Sequence, residues 1–173
     1  MKIYFAAHST TKDNEAGIVS GWKDAELSEL GIEQSKELGD NFKNIKFDLI
    51  CCSDLKRAVD TVELAFGNKF PVISDKKLRE LDYGDLNGES SKIVGGMKKE
   101  KINEPFPNGE SYKQATGRIR EFYKELKEKY LDKIVLVVGH RATQYGLDML
   151  SGKTIEECLS TPFKWQPYWE YNI

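Results

Sequence analysis

Residues 133–140 read KIVLVVGH, a run of β-branched and aliphatic residues that ends in glycine and histidine. Nothing in the run alternates with polar residues, so neither face of such a strand can be given to water. A strand apolar on both faces calls for a mostly parallel sheet with helices packed on each side. That requirement constrains the chain more than any other feature, and the remaining segments meet it.

KIYFAA (2–7) reads as a first strand, KFDLICC (46–52) as a second and FPVIS (70–74) as a short, fully apolar third. Helical segments fall between them. One starts at Ser28, a good N-cap, and runs to about Asn41, with Leu30, Leu38 and Phe42 as its apolar positions. Ser53 is expected to cap the next, SDLKRAVDTVELAFG, whose apolar stripe is Ala58, Val62 and Ala65 and whose stop is Gly67. A long amphipathic helix spans about Ser111 to Tyr130, with Tyr112, Ala115, Ile119, Phe122 and Leu126 on one face. ATQYGLDMLSG reads as a last helix, and FKWQPYWEYNI as a closing strand whose aromatics Trp165, Tyr168, Trp169 and Tyr171 are expected to pack in the core, the alternative being that they shape a leaving-group pocket together with residues 75–109. The expected fold is a three-layer α/β/α sandwich with a mostly parallel central sheet, formed by one domain over residues 1–173. The stretch from about 75 to 109 is too long for a plain connector and reads as a lid or cap with some helix of its own.

Composition enters where it excludes functions. A net charge of −2 supplies no basic field for nucleic acid or an anionic membrane surface. The mixed cluster GMKKEK (96–101) reads as a solvated face. The three cysteines, Cys51, Cys52 and Cys158, have neither disulfide-framework nor zinc spacing. No signal pattern and no apolar stretch of membrane-spanning length stands out, so the chain reads as cytoplasmic.

The chain has two histidines, His8 and His140, and each follows an apolar strand directly. Ligand sites of parallel α/β sheets gather off the carboxyl ends of the strands, so a shared functional site is expected there. Arg57 lies one turn into a helix, where backbone N–H groups and a guanidinium fork both favour phosphate oxygens. Glu80, in the glycine-rich loop LRELDYGDLNG, sits beside an apolar position where partial desolvation suits a general acid. Each feature alone also has a plain structural reading. Together they suit phosphoryl transfer: an imidazole attacks, cations clamp the charge, and a carboxyl protonates the leaving oxygen.

The same residues resemble the histidine phosphatase superfamily, the phosphoglycerate mutase-like fold. The family motif Arg-His-Gly-(Glu/Gln)-Thr stands here as Ala7-His8-Ser9-Thr10-Thr11, with Asn14 three residues on. The likeness continues through GWKDAELSELGIEQSKELG, FDLICCSDLKRAVDT, LRELDYGDLNGES, PNGESYKQATGRI and VLVVGH, in order along nearly the whole chain. It implies a phosphomonoester hydrolase acting on a small phosphorylated metabolite, with His8 as the nucleophile that forms a phosphohistidine. Arg57 and His140 would hold the phosphoryl group, and Glu80 would be the proton donor and later the base for water. Asn14, Ser53, Thr11 and Arg141 would contribute to the phosphate pocket. The resemblance implies neither metal nor organic cofactor, and leaves the oligomeric state open, a homodimer included.

Three departures stand out: Ala7 replaces the motif arginine, Thr10 replaces the acid or amide, and Arg141 follows His140 where glycine is common. Removing one charge-assisted contact from a dry site costs about 3 kcal/mol in comparable cases. Arg141 either supplies that charge or pairs with an acid such as Asp148. A phosphate- or nucleotide-binding homologue with faded chemistry and a phosphomutase are the alternatives to hydrolysis. Gln144 and Tyr145 either help set specificity or pack on a helix face.

Overall fold

The computed structural model describes all residues, 1–173. The KIVLVVG run forms strand β4 (Ile134–Gly139) in a five-stranded sheet with spatial order β3-β2-β4-β1-β5. β1 (Lys2–Ala7), β2 (Leu49–Cys52), β3 (Val72–Ser74) and β4 are mutually parallel, while β5 (Trp169–Asn172) pairs antiparallel with β1. Val135 to Val138 are fully buried, as a central strand with helices on both faces requires.

Alternation along the strands divides the core into two layers. Tyr4, Ala6, Ile50, Cys52, Leu136 and Val138 face α2 (Glu29–Asn41) and α3 (Lys56–Phe66), where Leu38, Phe42, Val62 and Phe66 complete an aromatic-rich cluster. Ile3, Phe5, Leu49, Cys51, Val135 and Val137 face the other way, onto Ile119, Phe122, Tyr123 and Leu126 of α5 (Tyr112–Lys129) and Leu147 of α6 (Arg141–Leu150). The arrangement is the three-layer α/β/α sandwich expected. β1 leads to helices on one face and β4 to α6 on the other, so the order of connections reverses between these neighbours and opens a crevice at their carboxyl ends.

Several local expectations are corrected. Leu30 is 48% exposed; the inward face of α2 is Gly31, Ser35 and Leu38. The first half of α2 lies against the polar loop after β1, and only small residues fit: a Cβ on Gly31 would collide with the carbonyl oxygen of Thr10. Ser53 is not the cap of α3. The N-cap is Leu55, and Ser53 remains at the end of β2, its N–H bonded to the Val138 carbonyl. Although apolar, β3 is an exposed edge strand. Lys101 is no part of a solvated face. It is 7% exposed, with its ammonium near the Pro105 carbonyl and over the Phe106 ring.

The closing aromatics divide. Tyr171 is buried, Tyr168 stacks near Tyr4 and Phe42, and Trp169 packs on Phe5, but Trp165 is 43% exposed. Residues 75–109 form three 3-10 turns and a short helix, α4 (Ser91–Gly96), at the carboxyl edge of the sheet. α1 (Lys12–Glu15) and α7 (Ile155–Ser160) are the remaining short helices. No helix is long and apolar enough to cross a membrane.

Candidate active site

Strand register brings the two histidines together. Ala7 is the partner of Gly139 in the β1–β4 ladder, so the next residue of each strand, His8 and His140, leaves the sheet side by side. Their ring centroids are 5.0 Å apart. The loop after His8 is pinned on two sides. Ser9 N–H donates to Thr61 Oγ1 of α3 at 3.0 Å, and Ser35 Oγ of α2 donates to Ser9 Oγ at 2.8 Å. Thr10 N–H donates to Gln34 Oε1 at 2.9 Å.

His8 Nδ1 lies 2.8 Å from the Ser9 carbonyl oxygen, which can only accept, so Nδ1 carries the proton. Nε2 is therefore the lone-pair nitrogen, and Arg57 Nε–H points at it from 3.3 Å. Burial, with the Arg57 charge adding, pushes the His8 pKa down to about 3, against a smaller opposing effect of the Ser9 hydrogen bond. His140 is 1% exposed, and burial followed by the charge of Arg57 holds its pKa well below the ordinary value. Neither of its ring nitrogens has a partner in the protein. An unsatisfied buried polar group costs roughly 1–3 kcal/mol, so this imidazole is placed for something other than stability.

Arg57 is 2% exposed, and its partners are an imidazole and two carbonyls, with no carboxylate among them. Nη1 and Nη2 donate to the carbonyls of Lys23 at 3.0 Å and Gly21 at 2.8 Å, which orient the guanidinium and leave donors unused. A buried, oriented guanidinium without a carboxylate is a receptor for a planar or tetrahedral oxyanion.

Glu80 approaches from the opposite wall. Its carboxylate accepts from the N–H groups of Leu81 at 2.8 Å, Arg141 at 3.2 Å and Ala142 at 3.2 Å, the last two being the first turn of α6. The Glu80 loop is held from beneath by Arg118, which donates to the carbonyls of Lys77, Arg79 and Glu80 and meets Glu110 with two bonds of 2.7 Å. Trp22 donates to the same Glu80 carbonyl at 2.7 Å. Thr143 ties both halves together, accepting from His140 N–H and donating to the Leu78 carbonyl, each at 3.0 Å.

The two imidazoles and Glu80 open into a cavity of about 500 Å³, also lined by Ala7, Thr10, Asn14, Gln34, Ser91, Arg141, Phe163 and Trp165. A second lobe of about 440 Å³ shares His8, Asn14, Glu80, Ser91 and Phe163 and adds Arg57 and Tyr83. Of the residues named from sequence, His8, Arg57, Glu80, His140, Asn14 and Arg141 thus meet around one space. Ser53 and Thr11 do not line it. Ser53 is buried under the turn into α3, and Thr11 is the fully buried N-cap of α1, exchanging bonds with Asn14. Arg141 does not pair with Asp148, which binds Lys153 and the Tyr171 hydroxyl instead. Its guanidinium lies over the rings of Tyr145 and Phe163 and donates to the Thr161 carbonyl. Gln144 and Tyr145 are buried on α6, which favours their packing role. Sequence reasoning missed Gln34, Thr61, Arg118 and Thr143. Only the small residues Gly31 and Ser35, one turn apart in α2, hinted at a close contact there.

A mostly parallel sheet with two adjacent imidazoles and a guanidinium free of carboxylates at its switch point offers a setting suited to an oxyanion beside a histidine nitrogen. The sequence profile of the histidine phosphatase superfamily (branch 1) matches residues 3–157, and the chain belongs to that superfamily. It is 32% identical over 127 residues to "Probable phosphatase C1687.21" of Schizosaccharomyces pombe, covering 72% of this chain and 60% of that protein. That match spans less than two thirds of the relative's length. Identity is 33% over 173 residues to the 2,3-bisphosphoglycerate-dependent phosphoglycerate mutase of Methylocella silvestris, covering 88% of this chain and 84% of that one. The solved structure of Bacillus stearothermophilus YhfR shares the fold, with a TM-score of 0.87 over 99% of this chain and 91% of that chain at 22% identity.

Proposed function

We propose that this protein hydrolyses a small phosphomonoester through a phosphohistidine on His8. The observation that carries this reading is the His8 tautomer: Nδ1–H is committed to the Ser9 carbonyl, so Nε2 presents its lone pair beside the Arg57 guanidinium. Nε2 attacks phosphorus while the ester P–O bond breaks, and Glu80 gives its proton to the departing alkoxide oxygen. Arg57 and His140 donate to the equatorial phosphoryl oxygens, where charge is greatest in the transition state. Glu80, now a carboxylate, takes a proton from water, whose oxygen attacks phosphorus and returns His8 with inorganic phosphate. The phosphoryl oxygens compete with the Glu80 carboxylate for the Arg141 and Ala142 N–H groups, which frees that carboxyl for proton transfer. Arg141, which lines the same cavity as Ala7, supplies the positive charge that Ala7 lacks. Residues 75–109 act as the cap of the pocket, contributing Glu80, Tyr83 and Ser91 to its lining.

Rapid acid-free quench with a ³²P-labelled aryl phosphate tests the reading. Label stable to alkali and lost in acid is expected on wild-type protein and absent from His8→Ala. Arg141→Ala is expected to weaken inhibition by inorganic phosphate about tenfold or more. Unlabelled wild-type protein that still binds phosphate would return the chain to the class of phosphate binders. A mutase relative at 33% identity keeps transfer to a second hydroxyl in view, and product analysis separates it from hydrolysis.

A further inference from the structure

The reaction above leaves three lining residues of the cavity unused, and all three are apolar or aromatic: Ala7, Phe163 and Trp165. Phe163 is 48% exposed and Trp165 is 43% exposed, in a chain whose other aromatic side chains mostly find partners. Trp22, also at the surface, is covered by the guanidiniums of Arg79 and Arg118 at 4.8 and 5.8 Å. Phe163 has Arg141 over its ring at 5.3 Å and Trp169 at 6.1 Å. Trp165 has neither a cation nor another ring against it.

The segment that carries these two rings, TPFKWQP, is bracketed by Pro162 and Pro167, whose fixed φ angles stiffen it. Arg141 anchors its start through the Thr161 carbonyl at 2.8 Å. A backbone restrained at both ends lowers the ordering cost of stacking a flat group on the rings it carries.

Gln34 adds a polar contact at the same wall. Its Oε1 is fixed by the Thr10 N–H, and its amide nitrogen donates to nothing in the protein. A small cleft continues from Ala7 past Gln34 and Glu37 to Trp165, so a donor and an acceptor border the aromatic wall.

Resting on the hydrolytic reading, we propose that the alcohol portion of the substrate carries a flat, nitrogen-bearing aromatic ring, stacked on Phe163 and Trp165 with its edge at Gln34. The substrate class is then a nucleoside-like phosphomonoester. An aliphatic polyol phosphate is disfavoured, because it would set hydroxyls against Ala7 and the aromatic rings and leave Trp165 uncovered. Ala7 belongs to this arrangement: its methyl group lines both the main cavity and the cleft, and gives the wall an apolar floor next to His8.

Adenosine 5′-monophosphate and ribose 5-phosphate present the same reacting oxygen and differ in the base. A kcat/KM at least about tenfold higher for the nucleotide is expected, the size that base–aromatic stacking supplies. That ratio should fall toward one in Phe163→Ala and in Trp165→Ala. The nucleotide should also quench tryptophan fluorescence in the wild type, and not in Trp165→Phe. Hydrolysis of both esters at equal efficiency, or a ratio preserved in both variants, overturns the proposal and leaves the hydrolytic reading standing. If neither ester turns over and His8 is never labelled, the hydrolytic reading falls. The fluorescence then decides: quenching that disappears in Trp165→Phe supports the stacking platform, and no quenching overturns it.

Discussion

Arg118 sits midway along α5 and reaches under the loop that ends in Glu80, with three backbone carbonyls and one carboxylate as its partners. The planar fork suits that task and an ammonium does not, because lysine cannot meet Glu110 with two parallel bonds while also serving the carbonyls. Arg118→Lys is therefore expected to lower kcat on a phosphate ester about tenfold or more, with KM changed little, since a shift of about 1 Å in a proton donor costs that much. A variant with unchanged kcat and a lower Tm would make Arg118 a purely structural residue. That His8, His140, Arg57 and Glu80 could share one site was legible in the sequence only from the four together, at two strand ends, a helix start and a glycine-rich loop. Arg118 was not: on a helix of mixed charge it looks like any exposed arginine until the Glu80 loop folds over it.

α6 approaches α5 closely enough that Gly146 touches Ile119, and a Cβ at Gly146 would collide with the Ile119 side chain. Gly146→Ala is expected to lose about 1–3 kcal/mol by overpacking, read as a lower denaturant midpoint with unchanged slope. Unchanged stability would mean that α6 moves freely, which its N-terminal bonds to Glu80 oppose. At this scale the period of the apolar residues located each strand and long helix. It failed where an element packs on something other than core. α2 rests on the loop after His8, so its inward face is small and polar and Leu30 points outward. β3 lies at the sheet edge, so its apolar residues remain exposed, with only one strand beside them.

Both histidines of the chain are held neutral in the folded protein, His8 with a pKa of about 3 and His140 also well below its ordinary value. The ordinary histidine value is 6.5. Below it the unfolded chain binds protons that the folded chain refuses, so stability is complete above that pH and declines as pH falls toward the folded values. Unfolding free energy is expected to fall between pH 7 and pH 5, by at most about 1.4 kcal/mol per pH unit for each histidine, read as a lower Tm, and His140→Gln should flatten part of the slope. A Tm constant over that range would contradict neutral burial of the pair. The same depression keeps Nε2 of His8 unprotonated through that range, so no acid limb in kcat/KM near pH 6 should come from the nucleophile.

For the molecule as a whole, the sequence determined the sandwich, because an all-apolar strand with polar helices between its neighbours has one economical way to bury both faces. It also determined which residue types could do chemistry. The β1–β4 register, set by hydrogen bonds between residues far apart in the chain, decided that two imidazoles lie 5.0 Å apart. Tertiary packing likewise decided that Arg57 is buried without a carboxylate, that Arg141 stacks on rings instead of pairing with Asp148, and that Trp165 stays at the cavity wall. Each is a contact across the chain, and local pattern carries no record of which distant group will be facing it.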